Sequence, residues 1–454
     1  MPEREFDVIV IGAGPSGEVI AGRLGEARLS VALCERELVG GECSFYACMP
    51  SKALLRAGEL IGEVGRVPGI ELASELVDSE AVLARRDEVI HDLDDSGMEP
   101  WLSERGVELI RQAGALDGER RVRAGEDVLL ARKAVVLAPG TRASLPPIDG
   151  LAEAEPWTNR QGTTTKRVPA SLIVIGGGPV GCELAQAWQS LGAEVTLLEM
   201  ADGLLANEEP FASDEVTTAL RGRGVRVKTG IEISSVSRGE DRYEVVLATK
   251  ETMPAKELMV AAGRKPNTDE LGLETVGLEP GDWVGVDDSM RVNGRDWLYA
   301  IGDVNKRSLL THAGKYQASV AARVILGENA TATSDLAGPP RVTFTDPQVA
   351  AVGLTMARAR DEGLTVREVT IATSGNAGAS FHGRNTDGTS QFVIDEHREI
   401  VVGATFVGYQ TAEMLHAATI AVTAKLPLTQ LREAIPAFPT RNEIWLRLLE
   451  EYGL

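Results

Sequence analysis

Only four cysteines, Cys34, Cys43, Cys48 and Cys182, serve 454 residues, too few for the disulfide framework of a secreted domain. Two of them stand close together, which in a reducing compartment points to chemistry or to metal. No stretch approaches the ~18 uninterrupted apolar residues that a membrane span needs, which argues against an integral helical membrane protein. Basic residues are the minority, 46 against 67 acidic ones, and the net charge of −21 repels phosphate backbones, so nucleic acid is not an expected partner. The opening Met1-Pro2-Glu3-Arg4-Glu5-Phe6 carries no basic region, apolar h-region or small-residue cleavage site; the expectation is a cytoplasmic protein. Histidine is scarce too, with five in all and none after His416.

What is present is an ordinary globular composition, 43% apolar, in a length that suggests about three domains. The run Phe6-Asp7-Val8-Ile9-Val10-Ile11 reads as a buried strand. It leads into Gly12-Ala13-Gly14-Pro15-Ser16-Gly17, a helix to about Gly25 and a strand from Ser30 to Glu35. The order recurs at Leu172-Ile173-Val174-Ile175, Gly176-Gly177-Gly178-Pro179-Val180-Gly181, a helix to about Leu191 and a strand ending at Glu199. The chain therefore holds two similar βαβ units. Between them a charged stretch, about Ser79 to Arg105, reads as helical. A further strand, Leu298-Tyr299-Ala300-Ile301, precedes Gly302-Asp303 and a helix from about Thr311 to Leu326. Small and polar residues from Glu328 to Gly338, closed by Pro339-Pro340, mark a boundary, after which alternating strands and helices read as a separate α/β domain.

A lone G-x-G-x-x-G is weak, but here strand, glycines and helix agree twice. The first glycine lets the chain turn, the second lets backbone approach a pyrophosphate, and the third lets helix pack on strand. The helix N-terminus then offers unpaired N–H groups and a positive dipole end to a phosphate. An acid able to hold ribose hydroxyls belongs about 20 residues on, and Glu35 and Glu199 each stand 23 residues after their first glycine. Two dinucleotides are expected. Glu199 would repel a 2′-phosphate, and Met200-Ala201-Asp202-Gly203 supplies no arginine to hold one, so NADH is expected over NADPH.

The segment Gly40-Gly41-Glu42-Cys43-Ser44-Phe45-Tyr46-Ala47-Cys48-Met49-Pro50-Ser51-Lys52 carries the chemistry. On an ideal helix, cysteines at i and i+5 lie about 140° and about 8 Å apart, beyond the reach of a disulfide. The first turn must be distorted, or Cys43 must precede it, and Gly40-Gly41 supplies that freedom. A place at a helix N-terminus is expected to lower the thiol pKa. No cysteine or histidine at short spacing completes a zinc site, so no metal is expected.

At these residues the chain resembles the class I pyridine-nucleotide-disulfide oxidoreductases, among them lipoamide dehydrogenase, glutathione reductase and mercuric reductase. The C-x4-C-x-P-x-K element (Cys43, Cys48, Pro50, Lys52) is highly specific. Ala261-Ala262-Gly263-Arg264-Lys265-Pro266-Asn267-Thr268, Tyr299-Ala300-Ile301-Gly302-Asp303 and Arg341-Val342-Thr343-Phe344-Thr345-Asp346-Pro347 match as well. The resemblance implies an α/β homodimer with two Rossmann-like dinucleotide-binding domains and a C-terminal α/β dimerisation domain. FAD would belong to residues 1–150 and 268–335, NAD(H) to 151–267, and the interface to 336–454. Gly12, Gly14, Pro15, Ser16, Gly17, Glu35, Gly41, Ala115, Gly140, Gly302, Asp303, Thr311 and His312 would serve FAD. Gly176, Gly178, Gly181, Glu199 and Gly263 would complete the cofactor sites on the nicotinamide side. Asp303 would bind the ribityl chain, the helix near His312 would stabilise the reduced ring, and Lys52 would sit by the flavin N5 paired with Glu183. Cys48 would be the flavin-proximal thiol and Cys43 the interchange thiol that meets the acceptor. Cys34 and Cys182, inside Rossmann elements, are expected to pack, and His91, His382, His397 and His416 to be structural or superficial.

One element departs from the family. Where its disulfide reductases carry H-P-T-x-x-E, this chain has Phe438-Pro439-Thr440-Arg441-Asn442-Glu443. General acid–base help of the kind that histidine gives is worth about 10²–10⁴ in rate, so ordinary disulfides are expected to be poor acceptors. Phenylalanine there is similar to 2-ketopropyl-coenzyme M oxidoreductase/carboxylase, although this chain keeps Lys52 and Glu443. Mercuric reductase, which also lacks the histidine, needs a C-terminal cysteine pair, and no cysteine follows Cys182. The expected activity is transfer of electrons from NADH through FAD to a Cys43–Cys48 disulfide and on to a small-molecule acceptor. The alternatives are a thioether-cleaving, carboxylating enzyme and a low-turnover flavin-binding redox sensor.

Overall fold

The computed structural model describes residues 3–70 and 77–454. Two compact units are each assembled from separate stretches of chain. The first comprises Met1–Pro50, Asp87–Ser144 and Arg264–Leu336, the second Ser51–Arg86, Leu145–Gly263 and Ala337–Leu454. The division after Leu336 falls within the small, polar stretch that reads as a boundary in the sequence.

In the first unit the apolar run at the N-terminus forms the strand Glu3–Ile11, paired on both sides. Parallel strands Val107–Ile110, Val31–Cys34, Glu3–Ile11 and Asp127–Leu137 follow one another across the sheet. Leu298–Ala300 pairs in parallel with Asp127–Leu137, and the antiparallel strands Arg121–Ala124 and Gly114–Leu116 extend the edge. The apolar, buried runs Val8–Ile11, Val31–Cys34 and Ala134–Leu137 in neighbouring strands suit burial on both faces. Register builds the site: Ile11 lies opposite Cys34 and Leu137, so the Gly12 loop, Glu35 and Ala138 leave the sheet at one edge. The carboxyl ends of parallel strands are where ligands of such sheets bind.

The second unit repeats this arrangement. Ile175, ending the strand Ser171–Ile175, lies opposite Leu198 and Val260, which brings the Gly176 loop, Glu199 and Ala261 to one edge. The helices that follow the two glycine loops, Pro15–Glu26 and Pro179–Ser190, both begin with proline, whose fixed φ and missing N–H suit a first helical position. Farther on, strands Arg341–Thr343, Gln348–Gly353, Ile400–Gly408, Thr389–Asp395 and Val366–Ala372 form an antiparallel sheet in that order. The helices Leu415–Thr423 and Ile444–Tyr452 pack on it through Leu415, Ala418, Ile444 and Leu448, against Phe392 and Phe406. The architecture is the α/β class expected, two dinucleotide-binding folds and a C-terminal α/β domain.

The charged stretch 79–105 is not one helix. Ser79–Val89 and Met98–Glu104 are separate, because His91, Asp92 and Leu93 have positive φ, a left-handed conformation through which an α-helix does not continue. No glycine or proline lies within residues 90–96 to announce the break. Among the described residues no helix is long and apolar enough to cross a membrane.

Candidate active site

The two glycine loops match down to their hydrogen bonds. Glu35 accepts the Ala13 N–H at 2.7 Å and the Glu37 N–H at 2.8 Å; Glu199 accepts the Gly177 N–H and, at 2.8 Å, the Ala201 N–H. Gly12 and Gly176 have φ of +100° and +112°, and a side chain on either would strike the carbonyl of Ala138 or Ala261. A Cβ on Gly17 or Gly181 would run into the carbonyl of Gly12 or Gly176, whereas Gly14 and Gly178 face open space. That is the pattern a pyrophosphate needs, with close helix–strand packing on one side of the loop and free backbone on the other. Beside the first loop lies a cavity of about 420 Å³ lined by Gly12, Glu35, Gly114, Pro139, Arg142 and Asn267 among others, large enough for part of a dinucleotide. Ser16 packs against Gly302 and Gly314, Ala115 is paired in the strand Gly114–Leu116, and the Gly140 carbonyl accepts the Asn267 N–H. Gly263, at φ +130°, directly precedes the strand Arg264–Pro266.

The cysteine segment is hung on the first loop. Gly40 donates its N–H to the Ala13 carbonyl at 2.8 Å, and Gly41, with positive φ, lies so close to Gly14 that a Cβ would stand 2.9 Å from its Cα. Cys43 sits in its own short helix, Gly41–Phe45, which ends at Tyr46; Cys48 opens a second, Cys48–Arg66. This break is the distortion that the i, i+5 spacing demands. Pro50 falls in the first turn of the second helix, where its missing N–H costs no intrahelical bond. The cysteines are thiols here. Cys48 Sγ lies 3.6 Å from Thr311 Oγ1.

The expectation of a lowered Cys43 pKa is overturned. Its hydrogen bond with Cys48 and its burial push the thiol well above the ordinary range, against the smaller opposing effects of Thr311 and Lys315. The helix that contains Cys43 has five residues, too few for a sizeable macrodipole. Deprotonation of Cys43 in the reduced protein should therefore lie above the usual thiol value. The rate at which reduced Cys43 reacts with an electrophile is expected to keep climbing through pH 9 rather than level off near 8.5, the usual value, in a stopped-flow pH series. Cys34 and Cys182 are buried, and burial pushes Cys34 up to about 12 and Cys182 higher still, as fits packing residues.

One turn after Cys48 on the same helix, Lys52 meets Glu183, Nζ to Oε2 at 2.6 Å. Glu183 is almost fully buried and its other oxygen accepts the Phe344 N–H at 2.9 Å, while the Lys52 ammonium stands 4.7 Å from the Phe344 ring centre. The pair suggested by the resemblance is thus formed by residues 131 apart in sequence. Asp303 accepts from Thr141 Oγ1 at 2.7 Å, and Arg264 Nε donates to the same hydroxyl at 2.6 Å. Burial raises the Asp303 carboxyl above its ordinary value, against that hydrogen bond and the Arg264 charge. Thr141 and the role of Arg264 were not legible beforehand, because the strands Thr141–Ala143 and Arg264–Pro266 that bring them together pair across 123 residues. His312 is exposed in the first turn of the helix Thr311–Ile325. Phe438 is 76% exposed, far from a core position, and Glu443 has a buried oxygen, Oε2, without a hydrogen-bond partner among the described residues. His382 stacks near Tyr409, 5.5 Å between ring centres. No group of three or more His, Cys, Asp or Glu among the described residues is placed to hold a metal ion.

Residues 6–322 match the profile of the pyridine nucleotide-disulphide oxidoreductases, and residues 339–448 that of their dimerisation domain. The dihydrolipoyl dehydrogenase of Zymomonas mobilis is 32% identical over 449 residues, 96% of each chain. A mercuric reductase of Bacillus cereus is 30% identical, over 97% of this chain and 70% of its own. In fold the chain is similar to the HOCl-induced flavoprotein disulfide reductase RclA of Escherichia coli, with TM-score 0.86 at 24% identity over 98% of this chain and 99% of that one. The chain belongs to the pyridine nucleotide-disulphide oxidoreductases, NAD(P)H-dependent flavoproteins that work with FAD and NAD(H).

Proposed function

We propose that this chain is an NADH:acceptor oxidoreductase that reduces a Cys43–Cys48 disulfide and passes the electrons to an acceptor other than the common small disulfides. The observation that carries the reading is the Cys43–Cys48–Thr311 cluster, tied through Gly40 and Gly41 to a glycine loop with an open face at Gly14. Bound FAD supplies two-electron transfer between NADH and the cysteine pair. The first glycine loop with Glu35, Asp303 and the Thr311–Ile325 helix would hold FAD, and the Gly176 loop with Glu199 would hold NADH. Lys52 would sit beside the flavin with Glu183 as its counter-ion, Nζ to Oε2 at 2.6 Å.

In the oxidative half of the cycle the Cys43 thiolate would attack the acceptor and Cys48 would then displace the product from Cys43 Sγ, restoring the disulfide. Phe438 offers no proton to the leaving group, and the raised Cys43 thiol makes the attacking thiolate scarce. Both observations favour an atypical acceptor. The homodimer would share this site across its interface, with Phe438 and Glu443 facing the partner's cysteine pair. Four cysteines in 454 residues suit a reducing cytoplasm.

The test is anaerobic NADH oxidation with a panel of quinones, dyes, lipoamide and oxidised glutathione, each with and without carbon dioxide. Turnover with quinones or dyes and little with the disulfides is expected. A strict carbon dioxide requirement would replace this reading by the carboxylating one, and absent flavin reduction would replace it by a sensor. Because Glu199 would hold ribose hydroxyls and repel a 2′-phosphate, NADH should exceed NADPH in kcat/KM by at least about tenfold, or ~1.4 kcal/mol. Equal efficiencies would contradict the assignment, and Glu199→Gln should narrow the gap.

A further inference from the structure

The small and polar residues from Glu328 to Gly338 read as a boundary in the sequence, yet Asp335 within them is only 2% exposed. Its carboxylate is gripped by Arg307 in a bidentate pair, Nε to Oδ2 at 2.9 Å and Nη2 to Oδ1 at 3.0 Å. Arg307 also donates to Asp288 at 2.9 Å and to the Ala332 carbonyl. A carboxylate buried this deeply needs such a partner, and the pair fixes it in place.

The same Oδ2 accepts from Gln317 Nε2 at 2.8 Å. Gln317 lies on the helix Thr311–Ile325 and is fully buried. An ionised carboxylate only accepts hydrogen bonds, so this contact decides which way round the Gln317 amide sits. Nε2 faces Asp335, and Oε1 is left to accept the Gly302 N–H at 2.8 Å and Asn305 Nδ2 at 2.9 Å. Asn305 in turn donates to the Ala300 carbonyl at 3.1 Å and accepts the Arg307 N–H at 3.0 Å, which closes the network on itself. Gly302 and Asn305 are the two ends of the turn Gly302–Asn305 that carries Asp303. Gly302, at φ +75°, stands against Ser16 of the first glycine loop. One side-chain oxygen thus holds both ends of the turn.

We propose that Gln317 and Asp335 are positioning residues for FAD: Asp335 orients the Gln317 amide, and Gln317 holds the Gly302–Asn305 turn so that Asp303 presents its carboxylate to the cofactor. The proposal rests on the reading of Asp303 as the residue that binds the ribityl chain. A satisfied buried network supplies the rigidity this task needs, and neither Gln317 nor Asp335 need touch FAD.

The test dilutes the FAD-loaded, full-length enzyme at pH 8 and follows release of FAD by the rise in flavin fluorescence. Far-ultraviolet circular dichroism at saturating FAD reports folding. Gln317→Glu sets a second carboxylate against Asp335, where two like charges are strongly unfavourable. FAD is expected to leave about tenfold faster, the effect of losing roughly one buried hydrogen bond. Adding Asp335→Asn exchanges carboxylate and amide, so that donor again meets acceptor, and release should return to within about threefold of wild type. A generally loosened core would not be mended by that exchange. Wild-type release from folded Gln317→Glu overturns the proposal, as does a folded double variant no better than the single one. If Gln317→Glu does not fold, the double variant is judged against wild type by the same threefold margin; if neither folds, the pair serves the core and the proposal falls. Asp303→Ala has a separate signature. Wild-type release from it overturns Asp303 as an FAD ligand, and this proposal with it, whereas faster release there with no effect at Gln317 overturns the proposal alone.

Discussion

Phe438→His is expected to raise the reduction of lipoamide or oxidised glutathione by about 10-fold or more, the usual worth of a positioned acid–base group. The gain should appear only in oxidation of the reduced enzyme by the disulfide, since reduction by NADH makes no use of that side chain. Its pH dependence should centre near the imidazole value, about 6.5. Two observations favour a clean result. Phe438 is 76% exposed, so replacing it removes little packing. Glu443 keeps a buried side-chain oxygen without a partner among the described residues, and the H-P-T-x-x-E pattern that the variant restores would pair the new imidazole with it. Single-turnover mixing of NADH-reduced enzyme with each disulfide measures the step. If wild type already turns over a common disulfide as fast as ordinary relatives, or if the variant changes only stability, another group carries the proton; His312 and Tyr46 would then be the first to examine.

The parts of the site that were legible in the sequence are those where backbone geometry constrains residue type. Gly12 and Gly176 need positive φ, Gly17 and Gly181 have no room for a Cβ, and Glu35 and Glu199 follow at one spacing because one helix and one strand intervene in both copies. The i, i+5 cysteines likewise foretold a break, found between Tyr46 and Cys48. What could not be read were contacts between distant segments. The meeting of Lys52 with Glu183 was reached only through family resemblance, and nothing in local pattern announced Arg264 and Asp303 sharing the Thr141 hydroxyl. The thiol pKa was misjudged for a similar reason. A helix start alone suggests a lowered value, but burial and the second sulfur, both products of tertiary structure, dominate. The stretch read as helical over about 79–105 is helical at both ends and interrupted at His91–Leu93, where three non-glycine residues take left-handed backbone that composition does not signal.

Loss of the cysteine pair should have the other large effect. Cys43→Ser, Cys48→Ser should retain FAD, because the glycine loop, Glu35 and Asp303 proposed to hold it are untouched, yet lose disulfide turnover by on the order of 10³-fold or more, as removal of a nucleophile does. Cys34 and Cys182 cannot stand in, for both are buried in the cores of their folds. Flavin and disulfide are each two-electron centres, so the cleanest readout is an electron count. Anaerobic titration of the oxidised, FAD-loaded enzyme with NADH should take up about four electrons per flavin in wild type and about two in the double variant. Equal uptake by the two proteins would contradict a redox-active Cys43–Cys48 disulfide.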